Sequence, residues 1–461
     1  MFDQYTLKKK FSLEEFLTVA RLFSKDSGTT LLLSGSTHDS AEKSFLCIFP
    51  FESVSIKSGN VYLKKGVEER TKQLQGENPW SILKKYIHSI DQQHSLPEWV
   101  GFLAYEMGAY HDEDVVVSHY NNSYPNVYFQ RCAIVLQLEH STRQLTIHMN
   151  REGIDSLEER QREWAQNFVS GKVWELDLEK LLDPFSKVDL TIESSLDDIS
   201  RYEEKILKAK EYIFAGDIYQ VNISQECSYK GHFDPFQIFL SLYEKNPAPF
   251  SAFMKLEYGH TIVSSSPERL LKKTGCVLET RPIKGTIPRG RTAEEDIKNK
   301  EILLSSEKDK SELLMITDLM RNDLGKVSVS GSVITKKIWH CEGYTNVYHL
   351  LSIICSKVER EKHPVEILRA VFPGGSITGC PKIRSMEIIS EIEQQPRGIY
   401  TGSIGYIAGN GDFDFNIMIR TLDILNDVIK LRLGGAIVAD SDVDSEYQET
   451  LQKGESIFQC L

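Results

Sequence analysis

RYEEKILKAKEYIFAGDIYQVNISQ (Arg201–Gln225) changes its period in the middle. Tyr202, Ile206, Ala209 and Ile213 recur at helical spacing on one face, and Gly216 fits a C-terminal stop. Directly afterwards Tyr219, Val221 and Ile223 alternate with Gln220, Asn222 and Ser224, the pattern of a strand. Such alternation fits a solvent-facing sheet or, in an enzyme, a polar side turned toward a substrate. A helix running straight into a strand makes this part of the chain mixed α and β.

The same mixture extends in both directions. Upstream, Thr30–Leu33, Phe45–Phe51, Asn126–Leu138 and Gln144–Met149 read as strands, and the charged stretch Ser156–Lys172 reads as a helix. Downstream, Thr292 and Glu295 form a T-x-x-E capping box, and a helix is expected from Pro381 to Glu393 with Pro396 beyond its end. Gly402–Gly411 looks like an antiparallel hairpin. S-E-Y-Q at Ser445 is a second capping-box pattern that opens the last helix. Periodicity weakens around Leu181–Ser195, so the expected division is a strand-rich region at 1–185 and a second region at 195–461.

Bulk properties narrow the function. With 461 residues and 41% hydrophobic content the chain can bury a large core, enough for roughly two to four domains. A net charge of −12 argues against a nucleic-acid or anionic-membrane binder. An anionic substrate must then be held by local cations. Eight cysteines without a C-x-x-C pair are neither a zinc framework nor a disulfide scaffold, and they suit a reducing cytosol. No apolar run nears the roughly 18 residues of a membrane span, and the N-terminus lacks a signal-peptide core, so a cytosolic protein is expected.

Several segments can carry chemistry. In the last helix Glu446, Glu449 and Lys453 share one face, while Tyr447, Leu451 and Phe458 lie on another. The charged face points to water or into a cleft, and water is the plainer reading. Asp309 and Glu312 form another acidic pair on a helical segment. Carboxylates from two helices facing one cavity would make a hard oxygen site of the kind Mg²⁺ takes. FPGGSITGCPK (Phe372–Lys382) and Gly434–Gly435–Ala436, after a strand at Ile429–Leu433, are places where free amides suit a carboxylate, or are simply turns and bulges. In RPIKGTIPRG (Arg281–Gly290) Lys284 sits between Pro282 and Gly285, with Arg281 and Arg289 near in sequence. Desolvation or nearby cations would free its amine as a nucleophile, but a surface charge is the default for any lysine.

These segments, in order, resemble the chorismate-utilising enzymes: anthranilate, aminodeoxychorismate, isochorismate and salicylate synthases. The resemblance is carried by AGDIYQVNISQ (Ala215–Gln225), SSPERLL (Ser265–Leu271), RPIKGTIPR (Arg281–Arg289), EKDKSELLMITDLMRNDLGKV (Glu307–Val327) and YTNVYHLLS (Tyr344–Ser352). It continues through FPGGSITGCPKIRSMEII (Phe372–Ile389), YTGSIGY (Tyr400–Tyr406), FNIMIRTL (Phe415–Leu422), GGAIVADSD (Gly434–Asp442) and EYQETLQK (Glu446–Lys453). The N-terminal likeness, LLSGS (Leu32–Ser36) and VGFLAYEMG (Val100–Gly108), is weaker.

The resemblance implies an α/β layered fold of large antiparallel sheets with helices outside and a cleft between sheet layers. It implies Glu312 and Glu449 as Mg²⁺ ligands, assisted by Glu446. It gives Arg420, Lys453 and the amides of Gly434, Gly435 and Ala436 to the substrate carboxylates, although Ala436 replaces a third glycine common in relatives. Thr286 and His349 become further active-site groups, and Tyr400 a substrate contact. Lysine at 284, where anthranilate and isochorismate synthases usually have alanine, is similar to the aminodeoxychorismate synthases. There Lys284 would attack chorismate while Glu268 protonates the departing hydroxyl. Ser34, Ser44, Phe45, Phe250 and Ser251 match positions that form a tryptophan pocket in relatives, or an ordinary apolar contact. No glutaminase pattern is visible, so the expected partner is a separate glutamine amidotransferase subunit that supplies ammonia. The rival readings are anthranilate synthase component I and a non-catalytic chorismate-binding subunit.

Overall fold

The computed structural model describes residues 2–35, 42–87, 94–110, 124–175, 180, 182, 184–185, 187–257 and 259–461. Ser36 of the LLSGS segment lies outside them, as do Leu181, Asp183 and Ser186 of the expected boundary.

The period change at Gly216 is a change of element. Helix Ile199–Phe214 ends at Ala215, Gly216 takes a φ of 82°, and strand Gln220–His232 follows. A left-handed φ is cheap only for glycine, so the turn needs this residue. Tyr202, Ile206 and Ala209 bury against Val221 and Ile223, together with Ile388 and Ile389 of helix Lys382–Glu393. Tyr219 does not join them: it precedes the strand and is 68% exposed. The polar side is not solvent-facing. Gln220, Asn222 and Ser224 are all buried.

All strand pairings among the described residues are antiparallel and connect into one curled network. Two wings leave strand Val127–Glu139. The first runs through Lys43–Lys57, Thr30–Leu33, Phe250–Lys255, His260–Ser266, Thr421–Leu425 and Val428–Ile437 to Gln220–His232. The second runs through Pro97–Leu103, Ser403–Ala408, Phe413–Asn416, Arg269–Thr274 and Val277–Arg281 to Val347–Lys357, which also pairs with Ile283–Pro288. Residues from before 185 and after 195 therefore share hydrogen-bonded ladders. The chain passes from one wing to the other at 267–268 and at 417–420. Each crossing carries a residue singled out from sequence, Glu268 and Arg420.

Helices cover the wings. Val443–Phe458 lies against the end of the first wing, with Tyr447 and Val443 beside the Val221–Ile437 cluster. Glu307–Gly325 packs on the second through Ile316, Met320 and Leu324. Three local expectations are corrected. The last helix starts at Val443 with Asp442 as its cap, because the Asp442 carboxylate accepts from the Ser445 amide, and Ser445 is inside. Its buried face is Glu446, Thr450, Gly454 and Ile457, so Glu446 turns inward and not to water. Gly434–Ala436 does not follow a strand. It lies inside Val428–Ile437, paired with Asn222–Ser224. Among the described residues no helix is long and apolar enough to cross a membrane.

Candidate active site

Strand Ile283–Pro288 brings Lys284 to the space between the two helices. Its amine is in the field of Glu312, Lys453, Glu268 and Glu449, yet no carboxylate among the described residues is within ion-pair distance of it. Burial is the main force on this amine and pushes its pKa below the ordinary lysine value; Lys453 adds to that and the glutamates oppose it. Gly285 has a φ of 79°, and a side chain there would strike Asp309 and Leu303. The strand can therefore lie close under the 307–325 helix only because this residue is glycine.

Glu268 is 4% exposed. Burial pushes its pKa up to about 7, against the pull of a Ser376 hydrogen bond, of Lys284, of the Ile283 amide at 3.4 Å and of Lys453. A carboxyl group in that range can hold a proton near neutrality and release it. Ser376, on the Gly-rich 374–378 segment, was not given a role from sequence, where it counted only as one of two hydroxyls among the glycines.

Glu312, Glu446 and Glu449 come from two helices into one neighbourhood. Burial raises the pKa of Glu312, and Glu446 and Glu449 add to that while Lys284 and Lys308 oppose it. Lys308, another residue missed from sequence, lies 3.5 Å from Glu446 and 4.0 Å from Glu312. Burial works against its charge, but Glu446, Glu312 and Glu449 hold its pKa above the ordinary value. Glu446 also accepts from Ser441 at 2.8 Å, and Glu449 pairs with Lys453 at 2.7 Å. Among the described residues no three His, Cys, Asp or Glu side chains close around one point. The arrangement fits a hard divalent cation that takes one or two carboxylates and fills its remaining places with water and substrate oxygens.

The open edge of strand Val428–Ile437 faces this cluster. Asn222 and Ser224 send their amides away from the strand, to Thr378 and Glu393. In an antiparallel ladder their partners Ala436 and Gly434 must then also point their amides outward, while that of Gly435 is committed to the ladder. Two of the three expected amides are thus available. Gly435 instead leaves room, since a Cβ there would meet Glu446 at 3.4 Å. Lys453 donates to the Gly434 carbonyl at 3.0 Å. Tyr400 borders Gly434 from the other face: a Cβ on Gly434 would lie 2.8 Å from its hydroxyl oxygen.

Arg420 has a φ of 51°, is half-buried and has no side-chain partner among the described residues. Desolvation alone lowers its pKa. A strained backbone and an unpaired guanidinium are both costly, and both point to an anion that completes the group. Thr286 donates to or accepts from His349 Nδ1 at 2.8 Å, and the edge of Tyr344 packs on that ring. Gln220 is fully buried and neither end of its amide has a partner among the described residues. It lies beside Cys380, next to the Gly-rich segment; the sequence pattern placed it on the polar side of its strand without giving it a role of its own.

Away from the cleft, Ser34, Phe45, Phe250 and Ser251 line a cavity of about 100 Å³ with Lys43, Lys272 and Asp414. Ser44 is not in its wall. Its hydroxyl accepts from the Ser34 amide at 3.0 Å and bonds His140 at 2.8 Å, and so it braces the rim.

Residues 43–459 match the family described as chorismate binding enzyme. The chain belongs to that family. Aminodeoxychorismate synthase component 1 of Bacillus subtilis (strain 168) is 34% identical over 427 residues, 89% of this chain and 87% of that protein. The Escherichia coli (strain K12) protein of the same name is 48% identical over 263 residues, which is 57% of each chain. The match therefore spans little more than half the length of that relative. Anthranilate synthase component I from Streptococcus pneumoniae superposes with a TM-score of 0.77 at 27% identity, covering 92% of this chain and 93% of the other. The curled antiparallel sheet with outer helices is thus the fold of this chorismate binding family.

Proposed function

We propose that this chain is the chorismate-aminating component of an aminodeoxychorismate synthase, in a compartment of cytosolic type. The reading is carried by one observation: a half-buried lysine, its pKa lowered, held among charged groups without an ion pair to any described residue. The Lys284 amine attacks C2 of chorismate, the ring double bonds shift, and the C4–O bond breaks. Glu268 gives its proton to the departing oxygen, which leaves as water. Ammonia then adds at C4, the double bonds return, and the C2–N bond breaks to release the lysine amine. The Glu268 carboxylate takes up a proton from the new ammonium group. The sum is chorismate plus ammonia to 4-amino-4-deoxychorismate plus water. A covalent step divides one hard displacement into two.

Arg420, Lys453 and the Gly434 and Ala436 amides hold carboxylates, and Tyr400, Thr286 and His349 line the ring. Glu312 and Glu449, with Glu446 behind them, would hold Mg²⁺, which when bound draws charge from a substrate carboxylate. Ammonia comes from a glutamine amidotransferase partner, since the relatives are named as component 1. The cavity at Ser34, Phe45, Phe250 and Ser251 is proposed as a tryptophan site, which must widen beyond its present volume of about 100 Å³ to take that ligand.

The test is the product formed by the purified chain from chorismate, ammonium and Mg²⁺, followed from pH 5 to 10. Aminodeoxychorismate, converted to p-aminobenzoate only when a lyase is added, is expected. With free ammonia held constant, activity should fall above about pH 7, as Glu268 loses its proton. Anthranilate released without a lyase would overturn the reading.

A further inference from the structure

The Gly-rich segment that reaches Glu268 is held almost entirely through its carbonyls. Lys382 Nζ, buried at the start of its helix, donates to Val371 O at 2.9 Å and Pro373 O at 2.7 Å. The Thr378 hydroxyl donates to Gly374 O at 2.9 Å, and Thr378 O accepts from the Asn222 amide at 2.8 Å. Arg397 Nη1 donates to Ile377 O at 2.9 Å. Each cation has its own buried counter-ion. Lys382 pairs with Asp323, which is 1% exposed on the same helix as Glu312. Arg397 pairs with Glu393 through Nε at 3.0 Å and Nη2 at 2.8 Å.

Arg397 does more than hold the segment. Its Nη2 also donates to Asn222 O at 2.7 Å, and its guanidinium lies 4.8 Å from the Tyr105 ring centre and 5.8 Å from that of Tyr400. With 4% exposure it is out of reach of a ligand in the cleft. Burying a lysine and an arginine is costly unless every donor is used. Here two donors of Lys382 and one of Arg397 go to the carbonyls of one short segment, at Val371, Pro373 and Ile377, and that segment carries Ser376, whose hydroxyl lies beside the Glu268 carboxyl group and pulls its pKa down.

We infer that Lys382 and Arg397 are positioning residues for Glu268: two buried cations that fix the 371–378 segment by its carbonyls at both ends and so keep Ser376 beside the Glu268 carboxyl group. Neither touches substrate. The inference rests on Glu268 being the acid, as proposed above. A general acid displaced by about 1 Å loses on the order of 10²-fold in rate. Misplacing it affects the chemical step more than the holding of chorismate, which falls to other residues.

Two variants test this. Arg397→Lys keeps a cation beside Glu393 but loses the fork. Lys382→Met removes the other anchor and leaves Asp323 with Lys326, 3.0 Å away. For each, kcat and KM for chorismate are measured, together with amide hydrogen exchange at 374–378. The expected result is kcat down by about 10- to 100-fold, KM within about threefold, and exchange at 374–378 about tenfold faster with the flanking helices unchanged. Unchanged kcat per folded molecule in both variants overturns the inference. So does a loss of kcat with exchange at 374–378 unaltered. A wild-type chain that makes no aminodeoxychorismate defeats the functional reading, and the exchange comparison then decides whether the anchoring itself is real.

Discussion

Two sets of buried charge lie within this sheet and are built on opposite rules. Behind the cleft, Glu393 accepts from Arg397, Ser224 and Arg432, and Arg432 reaches on to Glu226 at 2.8 Å. Burial alone would raise the pKa of Glu393, but Arg397 and Arg432 hold it below the ordinary value. In the cleft, Lys284 and Arg420 have no ion-pair partner among the described residues and Glu268 holds a raised pKa. Charge that is fully paired supports the architecture. Charge left short of a partner waits for a ligand, and its instability is what makes it reactive.

The contrast can be broken by single substitutions. Glu393→Ala should have the largest effect on stability, a loss of about 3–5 kcal/mol, because it strands the buried Arg397 guanidinium and leaves Arg432 with Glu226 alone. A thermal midpoint close to wild type would show that the network behind the cleft is not structural. Arg420→Ala should be the reverse case. It removes a desolvated, unpaired charge, so the thermal midpoint should stay level or rise. Activity as kcat/KM should fall by about 10- to 100-fold, the worth of a charge-assisted contact. Destabilisation of Arg420→Ala comparable to Glu393→Ala would erase the distinction between the two sets.

Local structure was largely legible in sequence. Thr30–Leu33 is a strand with the expected ends, and the period change at Gly216 is a change of element. These signals live in neighbouring residues, where side-chain period and backbone conformation are coupled. What could not be read depends on distant pairing. Gly434–Ala436 looked like a strand end because glycine is rare inside strands, yet its pairing with Asn222–Ser224 continues the ladder. The Glu393–Arg397–Arg432 network spans a helix, the turn after it and a strand, and no spacing rule links Arg432 to the other two. Ser376 and Lys308 are ordinary residues until the fold carries them to Glu268 and Glu446. The charged face of the last helix was ambiguous for the same reason: only the position of the facing helix decides that Glu446 turns inward.

The most direct measurement is peptide mass mapping of the wild-type chain incubated with chorismate and Mg²⁺ while ammonia is withheld. The account predicts an adduct of the dehydrated substrate on the peptide that contains Lys284, discharged when ammonium is added and absent in Lys284→Ala. A chain that aminates chorismate at full rate while this peptide stays unmodified, or a Lys284→Ala variant that keeps the wild-type rate, would contradict it.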